Sequence, residues 1–236
     1  MSQDLPTTGR TAIVLAAGSG TRLSKGTNKV WLPLGGRELV TWSFQWLIAT
    51  KLFDRFVAVV NPLEMEQARK VLSRHLEVPI DLIEGGQSRH DSESRALEYI
   101  APSIDTGRCS QVLIHDGARP LAAPSLIQRL VQAADETGGA LPYLPSGNLV
   151  GEFPTQSKIV RVQTPQVFSA AMLLDSYRQA VAAEFSGTDT ASCVARFHPE
   201  IEIKTVYGSA QNLKVTYPQD LVMAEYILSS QGFELR

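Results

Sequence analysis

Thr11-Ala12-Ile13-Val14-Leu15-Ala16-Ala17-Gly18-Ser19-Gly20-Thr21-Arg22-Leu23 runs from a short apolar, β-prone segment straight into small residues and two glycines. A buried strand that ends this way lets the backbone bend tightly and turn successive N–H groups toward an anion. Arg22 follows at once and Lys29 a few residues later. The pattern points to a loop that cradles a triphosphate at the end of a strand in an α/β sheet. Two better-known glycine loops do not fit. The dinucleotide fingerprint needs a third glycine where Leu23 stands, and the NTPase loop needs a second glycine where Leu23 or Lys25 stands. Lys25 lies in a Ser-Lys-Gly stretch that reads as solvated loop, whereas Lys29 precedes the apolar anchor Val30-Trp31-Leu32-Pro33-Leu34.

Outward from this loop, apolar β-prone runs at 11–15, 56–60, 80–83 and 111–114 alternate with helical patterns at 39–49, 62–76 and 92–100, followed by a helix at 125–137. Asn61-Pro62 is a helix start and Gly138-Gly139 a helix stop. Such alternation predicts right-handed βαβ units and a mostly parallel, Rossmann-like sheet flanked by helices. Ligands of these sheets bind at the carboxyl ends of the strands. Polar motifs fall at three such ends, after Leu15, after Glu84 and after Ile114. The alternation breaks at 143–163, where Pro145, Ser146, Gly147, Asn148, Gly151 and Pro154 precede an alternating run from Lys158 to Val162. A long, weakly structured insertion is usually functional, and this one reads as an arm that leaves the body and returns. Helices at 170–183, 189–197 and 220–228 and a strand at 202–206 complete the chain.

Bulk properties restrict the partners. The 236 residues suffice for one α/β domain, expected at 11–230 behind a flexible polar tail at 1–10. A net charge of −2 argues against general affinity for nucleic acid or acidic membranes. No run is long enough to span a bilayer, and the start lacks the charged and apolar stretches of a secretory signal. The two cysteines, Cys109 and Cys193, lie far apart without metal-binding spacing, so the expected setting is the reducing cytoplasm.

Further motifs follow in order: Gly85-Gly86 with Arg89 and Ser92; His115-Asp116-Gly117-Ala118-Arg119-Pro120; Thr164-Pro165-Gln166-Val167-Phe168; Thr188-Asp189 with Ser192; and Asn212-Leu213-Lys214-Val215-Thr216 ahead of Pro218 and Asp220. With the glycine loop and Asn28-Lys29, they resemble the cytidylyltransferases that join CTP to 2-C-methyl-D-erythritol 4-phosphate, and the relatives that act on ribitol 5-phosphate. The resemblance runs from about residue 12 to residue 228. It implies the nucleotide-diphospho-sugar transferase type of α/β fold with a protruding β-arm, and a homodimer through arm 143–163. It also implies attack of a substrate phosphate on the α-phosphorus of CTP with loss of pyrophosphate. A phosphomonoester is already largely dianionic at neutral pH, with a second pKa of about 6. No general base is then required, and catalysis reduces to positioning and charge neutralisation.

On that resemblance Arg22, Lys29 and Lys214 are the catalytic cations. Ala16, Ala17, Gly18, Ser19, Gly20, Gly85, Gly86, Arg89, Ser92, Asp116 and Gly117 bind the nucleotide. Asp116 holds Mg²⁺, and Ser146, Arg119, Thr188 and Asp189 face the phosphorylated polyol. Several positions have a second reading from the residues alone. Ser92 bonds the base edge or caps a helix. Asp116 binds metal or caps a turn. His115 is a metal ligand or a neutral group packed beneath the site. Arg119 touches substrate or braces its loop, and Thr188 and Asp189 cap a helix or face the acceptor. The arm departs from the family pattern. Pro145-Ser146-Gly147-Asn148 stands where Asp-Thr-apolar-Lys is usual, and Gln156 replaces an arginine. Ser146 would supply the hydroxyl, and Lys158 or Arg161 the missing charge. The expected reaction is Mg²⁺-dependent cytidylyl transfer to 2-C-methyl-D-erythritol 4-phosphate. Alternatives are another polyol phosphate or phosphonate acceptor, a sugar-1-phosphate nucleotidylyltransferase, and a nucleotide-binding protein without turnover.

Overall fold

Side chains alternate along the first strand, and both faces of that strand are covered. The computed structural model describes residues 9–18, 28–145 and 160–231. Its elements begin with β1 (Gly9–Ala16), a hairpin of β2 (Pro33–Leu34) and β3 (Arg37–Glu38), α1 (Leu39–Ala49), β4 (Arg55–Val60), α2 (Met65–His75) and β5 (Asp81–Glu84). There follow α3 (Arg89–Asp105), β6 (Cys109–Asp116), α4 (Pro124–Thr137), β7 (Gly139–Pro145), β8 (Val160–Val162) and β9 (Gln166–Ser169). The chain continues through α5 (Ala170–Ala182), α6 (Thr190–Phe197), β10 (Lys204–Tyr207) and α7 (Pro218–Ser230).

The main sheet has eight strands in the order β10-β7-β9-β6-β1-β4-β5, with β8 beside β7. β5, β4, β1 and β6 are mutually parallel. β9 runs antiparallel to both β6 and β7, and β10 is parallel to β7. Ala12, Val14 and Ala16 of β1 pack into a core with α1, α2 and α4, while Ile13 joins α3, α5 and α6 on the opposite face. A third cluster seats Ala224, Ile227 and Leu228 of α7 against Leu34, Leu39, Trp42 and Leu121. Layers on both faces explain why the parallel strands read as continuous apolar runs.

Several boundaries differ from the sequence-based expectation. Helix α3 begins at Arg89 because the Ser88 hydroxyl accepts from the Asp91 N–H at 3.0 Å, which makes Ser88 the cap in place of Ser92. The helix also passes through Pro102, because the apolar stripe Leu97, Ile100, Ala101 and Ile104 stays buried on both sides of it. The helix expected from residue 62 opens with a short 3-10 turn, Pro62–Glu64, capped by Asn61. Gly9 and Arg10 belong to β1, and Arg10 pairs with Asp135 at 3.0 Å; residues 1–8 of the expected tail lie outside the described residues. The expected arm 143–163 is shorter at its base. Tyr143–Pro145 complete β7 and pair with Val162–Val160 of β8, and Gln163 is buried in the body. Residues 146–159 of the arm lie outside the described residues. The β2–β3 hairpin is not expected as a hairpin from sequence, although β2 lies in the apolar run after Lys29; it turns on Gly35 and Gly36, both with positive φ (56° and 77°), which glycine adopts without strain.

Leu113 lies mid-strand in β6 and is fully buried. Leu113→Ala is expected to cost about 2–5 kcal/mol of stability, measured as a lower urea midpoint with an unchanged slope.

Candidate active site

A cleft of about 680 Å³ opens at the carboxyl ends of the strands, lined by Leu15 to Gly18, Asn28 to Val30, Asn61, Gly86 to Arg89, Ser92, Asp116, Ala118, Lys214 and Thr216. A smaller cavity of about 180 Å³ adjoins it, lined by Arg119, Val162, Gln163, Thr164, Gln166, Thr188 and Asp189. Arg89, Asp116 and Lys214 line both. The seam between the cavities therefore lies where the parallel half of the sheet meets the antiparallel strand β9.

Asp116 ends β6 at that seam, and cations surround its carboxylate. Lys214 Nζ lies 2.8 Å from Oδ2, Arg89 Nη2 3.2 Å from Oδ1, and Arg119 Nε 3.7 Å from Oδ2. Burial alone would push the Asp116 carboxyl up, but the positive charges of Lys214, Arg89 and Arg119 hold it well below the usual carboxylate range. The Arg119 guanidinium is itself braced, because Nη1 donates to the Asn212 carbonyl at 2.8 Å.

Beneath Asp116 lies a buried polar strut. The Thr164 hydroxyl oxygen accepts from the Asp116 N–H at 3.0 Å and lies 3.1 Å from His115 Nδ1. His115 Nε2 lies 3.0 Å from the Arg119 carbonyl, which only accepts, so Nε2 carries the hydrogen. Nδ1 must then accept from the Thr164 hydroxyl. Burial lowers the His115 pKa to about 4, with Arg119 and Lys214 helping and Asp116 opposing, so the ring is neutral at pH 7. Both nitrogens are engaged, which excludes the metal-ligand reading of His115. Asn212, fully buried, donates through Nδ2 to the Thr164 carbonyl at 2.9 Å, and Gln163 Nε2 donates to the Asn212 carbonyl at 3.0 Å.

The glycine-loop side is equally anchored. Asn28 Nδ2 donates to the Ala16 carbonyl at 2.8 Å and to Glu64 Oε2 at 2.9 Å, fixing the short turn that carries Lys29. Val30, Trp31 and Leu34 are buried, as the apolar run after Lys29 requires. Ser92 is not the cap of α3; its hydroxyl donates to the Ser88 carbonyl (2.9 Å) and accepts from the Gly86 N–H (3.0 Å), holding the glycine turn. A Cβ at Gly85 would overlap the Ala17 methyl, so two loops of the cleft meet at a distance only glycine permits.

Of the residues singled out from sequence, Ala16, Ala17, Gly18, Lys29, Gly86, Arg89, Ser92, Asp116 and Lys214 line the larger cleft. Arg119, Thr188 and Asp189 line the smaller one. Gly85 and Gly117 stand behind the cleft wall as close-packing positions; the Gly117 N–H donates to the Leu15 carbonyl at 2.9 Å. Ser19, Gly20, Arg22 and Ser146 lie outside the described residues. Asp189, and not Thr188, caps α6: its Oδ1 accepts from the Ser192 N–H at 2.9 Å, and its Oδ2 from Gln166 Nε2 at 3.1 Å. Asp116 is no turn cap, since its side chain is committed to cations. Sequence reasoning assigned no role to Asn28, Gln163, Thr164, Gln166 or Asn212. Four of these stood in quoted motifs, but their partners lie 12 to 49 residues away.

A family model described as 2-C-methyl-D-erythritol 4-phosphate cytidylyltransferase (IspD) matches residues 11–230. The chain belongs to this family. It is similar to the 2-C-methyl-D-erythritol 4-phosphate cytidylyltransferase of Geobacillus kaustophilus, with 35% identity over 94% of this chain and 98% of that one. The enzyme of the same name from Geobacillus thermodenitrificans is 34% identical over 93% of this chain and 97% of its own. Among solved structures, the 2-C-methyl-D-erythritol 4-phosphate cytidylyltransferase of Thermus thermophilus superposes with a TM-score of 0.70 at 26% identity, covering 92% of this chain and 98% of that one. The 4-diphosphocytidyl-2C-methyl-D-erythritol synthase of Anaerococcus prevotii shares the fold at a TM-score of 0.80 and 23% identity, over 94% and 99% of the two chains.

Thr164→Val keeps the shape and removes the hydroxyl that serves both Asp116 and His115. It is expected to destabilise the protein by roughly 1–3 kcal/mol, the cost of leaving buried polar groups unpaired, read from urea unfolding.

Proposed function

We propose that this chain transfers the cytidylyl group of CTP to 2-C-methyl-D-erythritol 4-phosphate and releases pyrophosphate, a step of isoprenoid precursor synthesis. The observation that carries the reading is the seam: two connected cavities share Arg89, Asp116 and Lys214, where a nucleotide phosphate and an acceptor phosphate would meet. The larger cavity has room for a nucleotide and the smaller for a short polyol. Family membership supplies the substrates.

In this reading an acceptor phosphate oxygen forms a bond to the α-phosphorus as the bond to the β-phosphate oxygen breaks and pyrophosphate departs. Lys29 and Lys214, with Arg22 by resemblance, balance the charge that builds on the phosphoryl oxygens. The Asn28 and Asp116 contacts of the two lysine-bearing segments hold these cations in place beforehand, the condition under which such donors lower a barrier most. Arg119, Thr188 and Asp189 border the acceptor side. Ser146, by resemblance, also faces the acceptor from the arm.

Asp116 suits Mg²⁺. It is a hard oxygen donor kept ionised. One carboxylate together with substrate phosphates is an ordinary setting for this ion. When bound, Mg²⁺ would neutralise triphosphate charge. For the arm, the exposed strand β8 and the exposed Tyr207 across β7 from it support a homodimer in which the partner's arm closes the acceptor cavity. Both cysteines are buried free thiols, which suits a reducing cytoplasm. The changed arm sequence at Ser146 and Gln156 keeps ribitol 5-phosphate as the competing acceptor.

Pyrophosphate release from CTP should be fastest with 2-C-methyl-D-erythritol 4-phosphate in a panel of phosphorylated four- and five-carbon polyols; a faster rate with ribitol 5-phosphate would replace the acceptor. Lys214→Ala should lower kcat by on the order of 10²–10³, the usual effect of losing one preorganised donor, and should also lower the unfolding midpoint, because Asp116 loses its 2.8 Å cation partner. Chelation with EDTA should abolish turnover, and added Mg²⁺ should restore it.

A further inference from the structure

Glu93 is a carboxylate with almost no exposure, one turn after Arg89 on α3. Its neighbours come from three helices. The Thr190 hydroxyl of α6 donates to Oε1 at 2.7 Å, the Tyr177 hydroxyl of α5 donates to Oε2, and Arg89 Nη1 lies 2.7 Å from Oε1. Burial pushes the Glu93 carboxyl up, and the adjacent Arg89 charge with the Thr190 and Tyr177 hydrogen bonds opposes that shift, so the ion pair with Arg89 is what favours the charged form. Burying such a charge is costly, and an apolar residue of similar volume usually serves packing as well or better. Packing alone therefore does not account for Glu93.

The Arg89 guanidinium is held between two carboxylates, at 2.7 Å from Glu93 and 3.2 Å from Asp116. Arg89 lines both cavities, whereas Glu93 lines neither. Without Glu93, Arg89 would make its ion pair with Asp116 alone and draw that carboxylate away from Lys214. With Glu93 ionised, Arg89, Arg119 and Lys214 face two carboxylates, and the seam keeps one net positive charge for an incoming phosphate.

We propose that Glu93 is a positioning residue: it fixes the Arg89 guanidinium at the seam between the two cavities and leaves Asp116 paired with Lys214. This deepens the cytidylyl-transfer reading and rests on it for its kinetic test. His90, stacked on Tyr177 at 4.6 Å between ring centroids, closes the back of the cluster and contributes no hydrogen bond to it.

The test compares Glu93→Gln, Arg89→Ala and the double variant by CTP-dependent pyrophosphate release, with the Arg89 guanidinium followed by nitrogen-15 NMR. Glu93→Gln should lower kcat/KM tenfold or more and should mobilise the Arg89 signal. The double variant should be no slower than Arg89→Ala alone, because Glu93 acts through Arg89. Wild-type kinetics in a folded Glu93→Gln, an unmoved Arg89 signal, or full additivity in the double variant would each overturn the proposal. If Glu93→Gln does not fold, Glu93→Asp, which keeps the charge at shorter reach, should still lower kcat/KM threefold or more; unchanged kinetics there would overturn it. If the wild-type chain releases no pyrophosphate with any acceptor, the functional reading fails. The NMR comparison then decides the Glu93 assignment by itself.

Discussion

One carboxylate that stays charged without free access to water organises this protein. Asp116 can remain ionised at the end of a buried strand only because Lys214, Arg89 and Arg119 converge on it. Those residues come from the start of α3, the loop after β6 and the segment before α7. The carboxylate thus requires the fold to bring remote parts of the chain to one point. In the proposed reaction the same charges, relaxed toward a phosphate, would be the groups that the chemistry needs.

Sheet topology makes this convergence possible. Parallel strands β1 and β6 end together, so the glycine loop and Asp116 face the same opening. Strand β9 runs the opposite way beside β6, and the residues just before it, Gln163 and Thr164, come back beneath Asp116. Asn212 then pins the last segment to Thr164 from below. A wholly parallel sheet would have placed the start of that neighbouring strand at the opposite end of β6, away from the cleft.

Much of this was legible in the residues. Apolar runs bounded by turn residues located β1, β4 and β6, and the amphipathic stripe at 125–137 located α4, because burial on a known period leaves a direct trace. Asp116, Lys29, Lys214 and Arg89 stood in motifs whose order was informative. Other features left no local trace. Strand β9 is four residues long and is stabilised by its neighbours on both sides, not by its own pattern. The role of Ser92 was hidden because Ser88, a second serine one turn earlier, takes the cap. Glu93 stood in no motif read from the sequence, and its partners Thr190 and Tyr177 lie far along the chain. Charge pairing across long sequence separations is invisible to periodicity.

The Thr164 hydroxyl has a consequence for how such an enzyme can diverge. It joins the base of the arm, through Gln163 and β8, to the backbone of Asp116 and to the ring of His115. The base of the arm and the Asp116 carboxylate therefore share a single stiff link. A substitution at the described base of the arm would act on both ends of that link at once, so under the proposed reaction a change at the acceptor side and a change at Asp116 are expected to travel together through descent.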